Sequence, residues 1–242
     1  MKPYLVLITM LFFGHSIAQK ISGAQLLEKA IQYHDPNNAW PHFKGKLFVT
    51  METPKGSDRT SEITINLPSR FFKTIATRDS TTNTYEINKG KCIISERDSM
   101  LIAKLTTPPQ RSHCETASMY KNYYTYLYGL PMKLKDPGTY IDPVVHTKTL
   151  KGKVYLVLKA TYDSEVGTDV WYFYFNPSNY AMEVYQFFKG DPKGKGKATG
   201  EYILLSGIET VHGIKIPKKR AWYYNKNDHY LGTDLLTKLR PL

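Results

Sequence analysis

The sequence predicts an α+β domain in which helices cover one side of a curved antiparallel sheet. Three observations carry this: short consecutive segments with alternating apolar and polar residues, turn signals between them, and two stretches with apolar residues at helical spacing. The segment Asp169 to Lys189, DVWYFYFNPSNYAMEVYQFFK, marks the centre of the sheet. Val170 to Phe175 are apolar or aromatic at every position, so the strand they form should be covered on both faces. Pro177 fixes φ, and Asn176, Ser178 and Asn179 can bond the local backbone, so the joining residues make a turn and the segment a hairpin. In the returning strand Met182, Val184, Gln186 and Phe188 share one face, and Glu183, Tyr185 and Phe187 the other. Neither face is wholly polar, which leaves room for an apolar cavity as well as a core.

Taken in order, the chain begins with Lys2, an apolar run from Tyr4 to Phe13, and Gly14-His15-Ser16-Ile17-Ala18. This is the pattern of a secretory signal with cleavage after Ala18, and the run is too short for the roughly 20 residues of a membrane-spanning helix. The expected product is an exported, soluble, periplasmic or secreted protein with a single domain over 19–242. Its loss of Lys2 takes the formal charge from +12 to +11. Such a charge favours anionic membrane surfaces or envelope polymers, and it also serves plain solubility.

Ile21 to His34 reads as the first helix, with Ser22 and Gln25 as a capping box and Leu26, Leu27, Ala30 and Ile31 near helical spacing. From Phe43 the period becomes two. Leu47, Val49 and Met51 share one face of a first strand, and Ile63, Ile65 and Leu67 one face of a second. Phe71 to Thr77, Thr84 to Asn88 and Lys91 to Ser95 extend this into a five-stranded antiparallel meander.

Thr107-Pro108-Pro109 breaks the meander. Ser112 to Gly129 then reads as a second, tyrosine-rich helix, capped by Ser112 and Glu115 and stopped by Gly129 and Pro131. Strands resume at Lys153 to Tyr162, pass through the aromatic hairpin, and end with Glu201 to Ile208, Ile214 to Tyr224 and His229 to Leu236. Between them Gly190 to Gly200, GDPKGKGKATG, should be a mobile surface loop. Cys92 and Cys114 are the only cysteines. In an oxidising compartment they can close a loop of about twenty residues, stabilising by about 3 kcal/mol, or stay as two buried thiols.

No catalytic motif emerges. Aligning Gly196-Lys197 with a phosphate-binding loop puts Asp191 and Ala198 where a glycine and a hydroxyl belong. His34, His42, His113, His146, His212 and His229 are scattered without metal-ligand spacing, and no GxSxG elbow occurs. Asp163 with Glu165, and Asp228 with Asp234, lie in or near turns and do not define a glycosidase pair. Lys215, Lys218, Lys219 and Arg220 interleave with apolar residues as a nucleic-acid patch would, but export removes that partner and a solvated strand face is expected. We expect no enzyme, no cofactor, no metal site and no nucleic-acid partner, and a monomer.

The segments TYLYGLPMKLKDPGTYIDP, TYDSEVGTDVWYFYFNP and GIKIPKKRAWYYNKNDHYLGTDLL resemble an uncharacterised family of exported bacterial proteins grouped with the outer-membrane lipoprotein-sorting carriers, LolA and LolB. To the carriers the likeness is one of architecture and a few turn positions. The resemblance implies a strongly curved antiparallel β-sheet, an incomplete barrel, with helices covering its concave side. In the carriers that side holds acyl chains.

The expected function is therefore non-enzymatic binding of a hydrophobic ligand, a lipid or lipoprotein acyl chain, in the space between sheet and helices. The alternative is a structural or partner-binding envelope protein with a filled core, and a hydrolase is the least supported class. Alternation offers Leu47, Val49, Met51, Ile63, Ile65, Tyr123, Leu127, Trp171, Phe173, Phe175, Tyr185 and Phe187 as cavity-lining residues.

Overall fold

The structure is a computed structural model that describes residues 21–103 and 110–242. The signal-peptide assignment over 1–18 and the break at Thr107-Pro108-Pro109 lie outside these residues. The first meander comprises β1 (Lys44–Glu52), β2 (Arg59–Asn66), β3 (Phe71–Arg78), β4 (Thr81–Asn88) and β5 (Lys91–Ile93). Along β1 and β2, Leu47, Val49, Ile63 and Ile65 are buried while the residues between them are partly exposed, as the period of two requires.

Helices α1 (Gly23–His34) and α3 (His113–Gly129) start where their capping boxes place them. Ser22 accepts from the Gln25 N–H at 3.2 Å while the Gln25 side chain accepts from the Ser22 N–H at 2.9 Å. Ser112 and Glu115 repeat this at 3.2 and 2.7 Å. Between the meander and α3 stands a helix that the periodicity missed, α2 (Glu96–Ala103). The strand expected to reach Ser95 ends at Ile93, because the Ser95 hydroxyl accepts from the Asp98 N–H at 3.1 Å and turns the chain into this helix.

The second meander begins with two short edge strands, β6 (Thr139–Ile141) and β7 (His146–Leu150), which both pair with β8 (Lys153–Tyr162). Neither was legible in the pattern, since β7 is exposed at every position but its last and so shows no alternation. It continues through β9 (Val170–Phe175), β10 (Met182–Phe188), β11 (Glu201–Val211), β12 (Ile214–Tyr224) and β13 (Tyr230–Pro241). The strand order is β5-β4-β3-β2-β1-β13-β12-β11-β10-β9-β8-β6, all pairs being antiparallel. The last strand thus returns beside the first and joins the two meanders into one curved sheet that does not close.

The concave side holds the main core. Leu26, Leu27 and Ala30 of α1 and Ala117, Tyr124, Leu127 and Tyr128 of α3 pack there on Leu47, Ile63, Phe72, Phe173, Tyr185 and Leu236. Residue Gly23 lets α1 dock closely: a Cβ there would lie 2.0 Å from the Asp142 carbonyl oxygen. The convex side carries only a small cluster of Tyr155, Val157, Tyr174 and Val184. Cover of β9 on both faces was expected, and on this face it comes from side chains rather than a second layer. The Lys148 and Lys153 ammonium groups lie 4.4 and 5.6 Å from the ring centroids of Tyr172 and Tyr155, their stems shielding the aromatics.

The glycine-lysine segment is a surface loop built of turns. Asp191 accepts N–H groups from Lys193, Gly194 and Gly196, and the Thr199 hydroxyl receives the Lys189 N–H, which folds the segment into consecutive turns.

Two features set this fold's response to redox and pH. Cys92 at the edge strand and Cys114 in the first turn of α3 form a disulfide, with Cα atoms 5.6 Å apart. His34, 1% exposed, donates through Nδ1 to the Lys215 carbonyl at 2.8 Å and accepts through Nε2 from the Met182 N–H at 2.9 Å. Both nitrogens are committed to the neutral ring, so a proton on Nε2 would oppose the Met182 N–H. Burial accordingly lowers the pKa from 6.5 to about 4.

Reducing the disulfide, or replacing both cysteines by serine, should lower unfolding free energy by about 3 kcal/mol, read as a lower urea midpoint. The histidine's depressed pKa means that the unfolded chain takes up a proton before the folded one does. Its contribution is therefore complete above pH 6.5 and lost as the pH falls toward 4, to about 3 kcal/mol. Denaturation across that window should show this loss in the wild type, and His34→Gln should flatten it while lowering stability at neutral pH.

Candidate functional site

Helix α3 divides the concave side. Its N-terminal half lies over β3, β4 and β5, to which the disulfide ties it. There Tyr124 stacks against Phe72 with centroids 6.4 Å apart, and Tyr120 against Tyr124 at 6.1 Å. These rings fill the hollow of the first meander.

The C-terminal half is held by buried polar groups. Tyr123 donates to Asp234 at 2.7 Å, and the Trp222 indole N–H donates to the same carboxylate oxygen at 3.2 Å. Asp234 is 3% exposed. Burial, reinforced by this carboxylate, pushes the Tyr123 hydroxyl well above its usual range and keeps it a neutral donor.

Arg220 faces Asp234 in the register of β12 and β13 and is 1% exposed, which corrects the expectation of a solvated face at this residue, whereas Lys215 and Lys218 are partly exposed and Lys219 is exposed. Its guanidinium lies 3.7 Å from the Tyr128 ring centroid and donates to the Pro217 carbonyl at 2.9 Å and toward Leu127 at 3.5 Å. A buried guanidinium needs such acceptors and π faces in place of water. Alternation along β12 brings it inward with Ile214, Ile216 and Trp222.

Beyond α3 the concave side stays open. A cleft of about 660 Å³ lies between the C-terminal half of α3, the turn after it, and the ends of β8, β9, β10 and β12. Trp171, Phe187, Trp222, Tyr123, Tyr126 and Tyr162 give it aromatic walls. Trp171 stacks on Phe187 at 4.9 Å and meets Tyr126 edge-on at 5.5 Å. The Tyr126 and Tyr162 hydroxyls bond each other. Burial raises both, Tyr162 to about 12, so neither ionises near neutral pH.

Lys133, Asp136, Glu165 and Asp169 stand at the rim. Among the described residues, no histidine, cysteine or serine lines this cleft. Among the described residues, no group of three histidine, cysteine or carboxylate side chains is placed to hold a metal ion.

Of the residues expected to line a cavity, Tyr123, Leu127, Trp171 and Phe187 do border this cleft. Met51 borders a smaller hollow of about 250 Å³ that shares Tyr123 and Trp222 with it. Leu47, Val49, Ile63, Ile65, Phe173, Phe175 and Tyr185 sit in the packed core, because the helices seal their part of the concave face. Sequence reasoning missed Tyr126, Tyr162, Trp222 and the rim. Trp222 was accessible to it, since a period of two from Ile216 reaches it, and so was Tyr126, three residues after Tyr123 on the helix.

The open, helix-covered sheet has counterparts among solved structures. The fold matches a LolA superfamily protein from Nitrosomonas europaea with a TM-score of 0.56 over 92% of this chain and 94% of that one, at 10% identity. A DUF1329 family protein from Desulfovibrio piger aligns with a TM-score of 0.48 and 7% identity over the same shares. The chain belongs to DUF6503, a family of unknown function whose sequence model matches residues 2–238. No curated protein matches the sequence. Among the described residues, no helix is long and apolar enough to cross a membrane.

Proposed function

We propose that this protein is a non-enzymatic, carrier-like or chaperone-like binder of a hydrophobic ligand, such as an acyl chain of a lipid or lipoprotein, and that the ligand lies in the aromatic cleft beside α3. The observation that carries this is the cleft itself. Its volume of about 660 Å³ falls within the range of small-molecule sites, and aromatic rings dominate its walls. The tyrosines there stay neutral and, among the described residues, no histidine, cysteine or serine borders the space, so the walls suit binding better than bond-breaking.

Tyr123, Leu127, Trp171 and Phe187 are the ligand contacts retained from the sequence, joined by Tyr126, Tyr162 and Trp222. The buried strand residues support the site from behind. We assign residues 1–18 as an export signal and 19–242 as one domain acting outside the cytoplasm as a monomer. The Cys92–Cys114 bond suits an oxidising compartment, and the basic surface suits contact with an anionic membrane. A second reading, a partner-binding envelope protein without ligand, draws on the tyrosine filling of the first meander's hollow.

Gly167 separates the two readings. It borders the cleft, its φ lies outside the left-handed region, and a Cβ on it would meet nothing within 4 Å, so Gly167→Trp can intrude without disturbing the core. Excluding even two methylenes from the cleft costs about 1.6 kcal/mol, more than tenfold in affinity. The neutral fluorophore N-phenylnaphthylamine should bind the wild type saturably and Gly167→Trp at least about tenfold more weakly, with the melting temperature unchanged. Absence of saturable binding to the wild type would favour the second reading.

A further inference from the structure

The chain carries a formal charge of +12, yet among the described residues three of the four charged side chains bordering the cleft are acidic. Lys133 is committed to Asp136, with which it forms an ion pair one helical turn apart. Glu165 and Asp169 have no ion-pair partner among the described residues. Asp169 is half-buried ahead of β9, and loss of water holds its carboxyl above the usual range despite the Lys189 charge nearby. A carboxylate that has given up solvent without gaining a partner favours an incoming cation.

The walls favour the same charge. Asp169 stands two residues before Trp171, on the same side of the extended chain, so the carboxylate and the stacked Trp171 and Phe187 rings border one space. Tyr126 closes that corner edge-on. Aromatic faces attract cations and repel anions, most strongly for tryptophan and where water is partly excluded. An anionic head group would meet two unpaired carboxylates and π faces here, and the one lysine on the rim is already engaged.

We propose that the cleft selects amphiphiles whose polar end is a substituted ammonium group, the cation lying between Asp169, Glu165 and the Trp171 ring and the apolar body along Phe187, Trp222 and Tyr126. This rests on the apolar-ligand reading and adds the chemistry of the head group. It runs against the preference for anionic molecules that the net charge alone would suggest.

The test displaces N-phenylnaphthylamine from the full chain with dodecyltrimethylammonium, dodecyl maltoside and dodecyl sulfate below their micelle concentrations, and with tetramethylammonium alone. The ammonium amphiphile should compete about tenfold better than the maltoside of equal chain length. Glu165→Gln/Asp169→Asn should bring it to the maltoside's level and leave the maltoside unchanged. Equal or better competition by the maltoside or the sulfate, or an ammonium affinity unchanged in the double variant, would overturn the head-group assignment alone. Tetramethylammonium competing as well as the amphiphile would also overturn it, leaving a small-cation site. If no compound with a dodecyl chain competes, the apolar-ligand reading fails and the head-group assignment with it.

Discussion

Helix α3 lies in the hollow of a sheet whose two meanders meet only along β1 and β13, and both halves depend on it for cover. One end is joined covalently to the edge strand through Cys92 and Cys114. The other is held by Arg220, whose guanidinium supports the Tyr128 ring and donates toward the last turn of the helix. Neither contact suffices alone. The disulfide leaves the far end free to swing, and a buried guanidinium is stable only where acceptors and rings surround it. Together with the Tyr123–Asp234 bond they fix both the height and the rotation of the helix.

That placement decides which part of the concave face is closed. Tyrosines on the sheet-facing side of α3 occupy the space over Phe72 and Tyr85, so the first meander has a solid core. At the second meander α1 seals one end of the strands, close to Leu158, while at the other α3 reaches Trp171 through Tyr126 but leaves a cleft beside Trp171 and Phe187. The cleft is what the two helices leave uncovered. Its chemistry follows from the strand ends that border it: aromatic residues point inward from β9, β10 and β12, and carboxylates come from the adjoining turns.

Much of this was legible in the sequence. The capping boxes at Ser22 and Ser112 located both main helices, and the period of two located most strands, because these signals are local. Edge strands exposed on both faces, such as β7, carry no such period. The candidate site was half legible. Alternation correctly turned Leu47, Ile63, Phe173 and Tyr185 toward the concave side, but whether a helix fills that side depends on where α3 lies. Contacts between Cys92 and Cys114, or Arg220 and Tyr128, join positions far apart in the chain, and no local pattern encodes them. Arg220 was misplaced for a further reason: a basic run reads as a solvated surface unless the rings and carbonyls that would receive it are known.

The central claim is that the uncovered cleft holds a hydrophobic molecule, and native mass spectrometry of the protein isolated under mild extraction tests it most directly. The account predicts a one-to-one adduct of lipid mass that dissociates on collisional activation and is depleted in Gly167→Trp. Only ligand-free protein, from wild type and variant alike and with no uptake of added lipid, would contradict it.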